Sequence, residues 1–97
     1  MKDFWAWGGK YIGFRKENVL YSRKGNPIGY FHNKMLFDFS GKYLAEIRND
    51  NRLITVKSNK SIRAGSFCKP INSFGHSCIN YVGNVMIAGC EDFVFEE

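Results

Sequence analysis

Tyr11-Ile12-Gly13-Phe14, Glu17-Asn18, Val19-Leu20-Tyr21, Gly25-Asn26, Pro27-Ile28-Gly29-Tyr30: between residues 11 and 30 the chain twice spells an apolar run followed by a turn pair, then begins the first run again. Gly, Asn and Asp tolerate the left-handed backbone that tight hairpin turns require. The runs between them are too short for helices and the right length for strands. Downstream, the turn pairs Asn33-Lys34, Gly41-Lys42, Asp50-Asn51 and Asn59-Lys60 keep a spacing of eight to nine residues. They separate Met35-Leu36-Phe37-Asp38-Phe39, Tyr43-Leu44-Ala45-Glu46-Ile47 and Leu53-Ile54-Thr55-Val56. The expected fold is therefore all-β: an antiparallel meander of tandem short β-hairpin repeats, pseudo-symmetric and flower- or barrel-like, with no helix longer than two turns.

Every second turn restarts the pattern, at a period of 16–17 residues. A single hairpin cannot bury its apolar face alone, so the copies must pack on one another. The small residue in each first strand (Gly13, Gly29, Ala45) predicts close backbone approach around a pseudo-symmetry axis. Ser61-Ile62-Arg63-Ala64 reads as the start of a fourth unit. From Gly65 the composition loosens, and Cys78-Ile79-Asn80-Tyr81-Val82 with Val85-Met86-Ile87-Ala88 around Gly83-Asn84 reads as one more hairpin.

These residues resemble a known family. The succession Tyr11-Ile12-Gly13-Phe14, Val19-Leu20-Tyr21-Ser22, Gly25-Asn26-Pro27-Ile28-Gly29-Tyr30-Phe31, Leu36-Phe37-Asp38 and Gly41-Lys42-Tyr43-Leu44 is similar to the 4-fold beta flower proteins, small bacterial proteins of no known function. In that family an aromatic-Asp-x-x-Gly turn precedes an apolar-Gly-aromatic strand. The resemblance spans roughly residues 4–65, and Glu91-Asp92-Phe93 is similar to a tail motif of the family. The third unit departs from it, with Leu53-Ile54-Thr55-Val56-Lys57-Ser58-Asn59 in place of a Gly turn. The resemblance implies a β-repeat fold and supplies no functional residue.

A chain of 97 residues reads as one domain, 1–97, with hairpin repeats over 11–65 and an extra hairpin plus acidic tail over 66–97. Nine Phe, five Tyr and two Trp suit pleated, half-buried surfaces. The net charge of +5 is uneven: Lys10 to Pro70 holds thirteen Lys and Arg against four acids, while Ile71 onward holds no cation and four acids (Glu91, Asp92, Glu96, Glu97). Met1-Lys2-Asp3-Phe4 runs straight into Trp5-Ala6-Trp7-Gly8-Gly9 without a secretory h-region. No window approaches the ~20 apolar residues of a membrane helix. With three cysteines, an odd number, the expectation is a reduced, cytoplasmic protein without a membrane partner.

No constellation marks an enzyme. Cys68, His76, Cys78 and Cys90 lack the paired spacing of a structural zinc site, so the cysteines are expected to be reduced and free of metal, and no cofactor is expected. His76 next to Cys78 invites a thiol nucleophile, with Asn72 and Asn80 nearby, yet nothing distinctive marks an orienting group or an oxyanion hole. Trp7-Gly8-Gly9-Lys10 lacks the spacing and hydroxyl residue of a phosphate loop. The leading functional reading is a non-enzymatic interaction or scaffolding module that self-associates, most simply as a dimer. A small repeat domain leaves part of its aromatic surface in water, and Trp5 and Trp7 are the expected contact. The alternative is a nucleic-acid binder using Arg23, Lys24, Tyr30, Lys34, Arg48 and Arg52, its weakness being that Lys on turns and edges also serves solubility.

Overall fold

Two sets of reversals, each repeating every sixteen residues, set the path of the chain. Glu17 (φ 55°), Asn33 (57°) and Asn49 (51°) open one set, and Gly9 (101°), Gly25 (89°) and Gly41 (94°) close the other. Left-handed backbone costs an L side chain about 1–2 kcal/mol, which is why Gly and Asn recur there. In the computed structural model, which describes residues 1–95, these turns connect β1 (Lys2–Ala6), β2 (Tyr11–Lys16), β3 (Val19–Ser22), β4 (Pro27–His32), β5 (Met35–Phe37), β6 (Tyr43–Arg48) and β7 (Arg52–Val56). All six expected turn sites fall between strands or at the end of the last one. Each strand pairs antiparallel with the next, and β1 closes the ring on β7 in parallel, through Trp5↔Arg52 and Ala6↔Leu53. The result is a seven-stranded closed barrel.

Every second pairing, β1–β2, β3–β4 and β5–β6, carries the same irregularity. Phe4 pairs Gly13 but Trp5 pairs Tyr11, so Ile12 bulges out of register, and Ile28 and Leu44 do the same. A bulge re-aims its side chain, and here Ile12 and Ile28 join the core. The following residue lies against the next unit: a Cβ on Gly13 would collide with the Tyr21 carbonyl, and one on Gly29 with that of Phe37. The close approach expected of the small positions is present. The core itself centres on Phe4, Leu20, Leu36 and Leu53, from β1, β3, β5 and β7, each 0 % exposed.

The fourth unit is assembled differently from the expectation. Lys57 stands where the Gly turn belongs, and Lys57–Asn59 winds into a short 3-10 turn that carries the chain off the sheet. Ser61–Ala64 then adds only a single bridge, Lys42↔Arg63, rather than a strand. The missing partner of β7 comes from the far end: Gly89 (φ 81°) turns the chain into β8 (Cys90–Asp92), which pairs Ile54↔Asp92 through Val56↔Cys90. The hairpin expected over Cys78–Val82 and Val85–Ala88 also does not form, since no strand is present there. Both edges it needs are spent, because these residues donate and accept hydrogen bonds with the barrel's turns instead.

Candidate functional site

Residues 62–87 form a belt that travels backwards around one end of the barrel. It meets the three Gly turns in reverse order, with the same two hydrogen bonds each time. Ala64 N–H donates to Gly41 O (2.8 Å) and Phe67 N–H to Phe39 O (3.0 Å). Ser73 and His76 donate likewise to Gly25 O and Arg23 O (both 2.8 Å), and Tyr81 and Asn84 to Gly9 O (2.7 Å) and Trp7 O (3.0 Å). The acceptors repeat every sixteen residues because the barrel does. The belt's donors repeat at about half that step, nine and then eight residues apart, and Ile71-Asn72-Ser73-Phe74-Gly75-His76 recurs as Ile79-Asn80-Tyr81-Val82-Gly83-Asn84.

The belt covers what the sequence marked as an interface. Trp5 and Trp7 are 5 % and 7 % exposed. Their indole N–H groups donate to Ile79 O and Val85 O, both at 2.8 Å, and Trp5 stacks on Tyr81 with centroids 3.9 Å apart. A contact through these indoles would require the belt to lift. The six residues named for nucleic acid are not gathered on one surface. Arg23 and Lys24 are exposed in a Gly turn whose carbonyls the belt meets, whereas Lys34 lies in a turn at the opposite end, beside the mouth lined by Lys2, Phe4 and Arg15. Arg48 also ends its strand there, opposite Arg52 in register. Tyr30 has its face taken by Phe67, stacked at 4.3 Å. Arg52 is a belt anchor, donating to Trp7 O (3.2 Å) and Val82 O (3.0 Å).

Two features sit on this belt. Its outer side carries Ile71, Phe74, Ile79, Val82 and Val85, each more than 80 % exposed. Its inner side brings His76 and Cys78 against β1. His76 Nε2 lies 3.2 Å from Asp3 Oδ1 and 3.4 Å from Cys78 Sγ, and the Tyr11 hydroxyl donates to the same Asp3 oxygen (2.9 Å). Desolvation and the Asp3 carboxylate push the Cys78 thiol up, and burial with Asp3 does the same to the Tyr11 phenol. A thiol held neutral is a poor nucleophile. Sequence reasoning paired His76 with Cys78 but missed Asp3, for which it offered no signal. Cys68 is exposed and Cys90 is buried against Trp7 and Ile54, so neither joins the cluster.

A second phenol reports on the barrel. Tyr43 donates to Glu46 Oε1 (3.0 Å) and accepts from Val56 N–H (3.1 Å). Burial first, then the Glu46 carboxylate, pushes it up to about 12, while the Val56 N–H pulls the other way. The folded phenol thus keeps its proton where the unfolded one, at about 10, loses it. Its stabilising contribution is complete below that value and is lost as pH rises from about 10 through 12. Melting temperatures should fall over this alkaline window, and Tyr43→Phe should flatten the fall while costing on the order of 1 kcal/mol at neutral pH. An unchanged alkaline profile in Tyr43→Phe would count against this origin.

Barrel, repeated bulge and belt together define a class: a small all-β repeat protein whose hairpin units close on themselves and are strapped from outside by the chain's own C-terminal part. The chain belongs to the 4-fold beta flower protein family, whose model matches residues 2–81. The match takes in all seven barrel strands and the belt as far as Tyr81. No curated protein and no solved structure is similar enough to register as a match.

Proposed function

We propose that this β-repeat module is a non-enzymatic interaction protein, residing in a reducing compartment, whose belt face binds a second copy of the chain. The observation that carries this reading is the outer side of the belt. From Ile71 to Cys90 there is no Asp, Glu, Lys or Arg, and five large apolar side chains there stand more than 80 % in water. Exposed apolar surface of this kind marks interaction sites, and the belt's hydrogen bonds hold it pre-organised. A molecule of net charge +5 repels its own copies, so an uncharged face is where two copies approach at least cost. A two-fold contact would set the same patch against itself. Burying ~800 Å² per partner, typical of stable assemblies, takes about one-seventh of the 5746 Å² surface.

The absence of a relay supports the non-enzymatic half. In a thiol or serine triad the imidazole uses one nitrogen for the nucleophile and the other for the carboxylate. Asp3 and Cys78 both crowd the same His76 nitrogen.

Sedimentation equilibrium tests the proposal. The wild type should show twice the 11.2 kDa chain mass at micromolar concentration. Phe74→Asp and Val85→Asp, at side chains exposed by 94 % and 92 %, should return it to monomer with an unchanged circular dichroism spectrum. A wild type that stays monomeric as concentration rises would overturn the reading.

A further inference from the structure

The same His76 nitrogen that breaks the relay suggests a different chemistry. Oxygen, nitrogen and sulfur donors from Asp3, His76 and Cys78 converge, all three atoms lying within 4.8 Å of one another. The Cys78 thiol has a hydrogen of its own and bonds to Asp3, so the metal-free cluster is satisfied, and a metal ion would take the place of that proton. Tetrahedral zinc, with bonds of about 2.0–2.3 Å, places neighbouring donors roughly 3.3–3.6 Å apart. The observed N–O and N–S separations are 3.2 and 3.4 Å. The His76 nitrogen already stands at such distances from both other donors, which lie within 4.8 Å of each other.

We propose that Asp3, His76 and Cys78 form a zinc site that fastens the belt to the first strand of the barrel. A carboxylate, an imidazole and a thiolate are a donor set that borderline-soft zinc accepts, whereas magnesium and calcium prefer oxygen alone. The Tyr11 hydroxyl on Asp3 holds the carboxylate in place, as outer partners of metal ligands do. His76 and Cys78 are separated by one residue on an extended segment, which puts both on one face. Their backbone is already tied to the barrel at His76 N–H, so two of three ligands arrive pre-positioned. Three protein ligands leave the fourth position to water or an incoming group.

The full-length protein, stripped with chelator and dialysed, is titrated with zinc by calorimetry, and bound metal is counted by elemental analysis. One zinc per chain is expected, with a rise in melting temperature. Asp3→Ala, His76→Ala and Cys78→Ser should each weaken uptake on the order of tenfold or more. Cys68→Ser, at the exposed cysteine outside the cluster, should leave it unchanged. Circular dichroism of the metal-free variants separates loss of the site from loss of the fold. No uptake by the wild type at micromolar zinc would overturn the proposal, as would uptake that persists unchanged in His76→Ala or Cys78→Ser.

Discussion

Gly13→Ala is expected to lose about 3 kcal/mol of stability or more, enough to leave a domain of typical stability near its unfolding threshold. The added methyl would sit well under 3.0 Å from the Tyr21 carbonyl oxygen. Gly13 is held between Phe4 on one side and Ser22 on the other, so neither neighbouring strand can retreat without opening the barrel. Gly29→Ala makes the equivalent collision with Phe37, somewhat less closely, and should cost less. The third unit already carries Ala45 at this place, fully buried, so a methyl is accommodated there. Ala45→Gly should therefore be destabilising in its turn, by roughly 1 kcal/mol, through lost packing and a freer unfolded chain. Urea midpoints read by tryptophan fluorescence should rank Gly13→Ala lowest, then Gly29→Ala, then Ala45→Gly, then wild type. A Gly13→Ala protein within about 0.5 kcal/mol of wild type would show that the strands are not held as close as described.

Truncating the core is the second large effect. Leu20→Ala removes a side chain that is 0 % exposed and shares the core with Phe4, Leu36 and Leu53. Loss of transfer free energy plus a cavity that a closed barrel cannot collapse should cost roughly 3–5 kcal/mol. For a domain of this size the melting temperature should drop by more than about 12 °C. Leu53→Ala should behave alike, because it is as fully buried on β7. The control is Val94→Ala, off the belt and 64 % exposed, which should leave melting unchanged. Equal small effects in Leu20→Ala and Val94→Ala would mean that the barrel interior is not the core.

Much of the barrel was legible because its rules are local. Turn residues such as Asn33 and Gly41 declare their backbone by chemistry, and the sixteen-residue step follows from the residues themselves. Gly13 and Gly29 signalled backbone contact without revealing that a bulge at Ile12 and Ile28 creates it. The candidate sites were less legible. His76 and Cys78 stand two apart, so strand alternation was enough to pair them. Asp3 lies seventy-three residues upstream of His76 and reads as an ordinary acid near a terminus until the belt folds back on it. Trp5 and Trp7 read in sequence as a contact with a second subunit, and in the fold Ile79, Tyr81 and Val85 of the same chain lie against them, which composition cannot name.

By itself the sequence determined the repeat: hairpin units of sixteen residues, their turns, and the apolar face each unit must hide. Period-2 strands and left-handed turns are set by neighbours in the chain, so they can be read in order. Only the tertiary structure decided how the fourth unit is completed and where residues 62–87 go. Lys57 interrupts the repeat, β8 arrives from the far end to fill the gap, and the intervening segment straps the three Gly turns. Extended backbone with unspent N–H and C=O groups takes whatever partners the fold presents, and those partners here are carbonyls of distant turns. That is why a stretch that looks like a hairpin becomes a belt, and why an aspartate, a histidine and a cysteine meet.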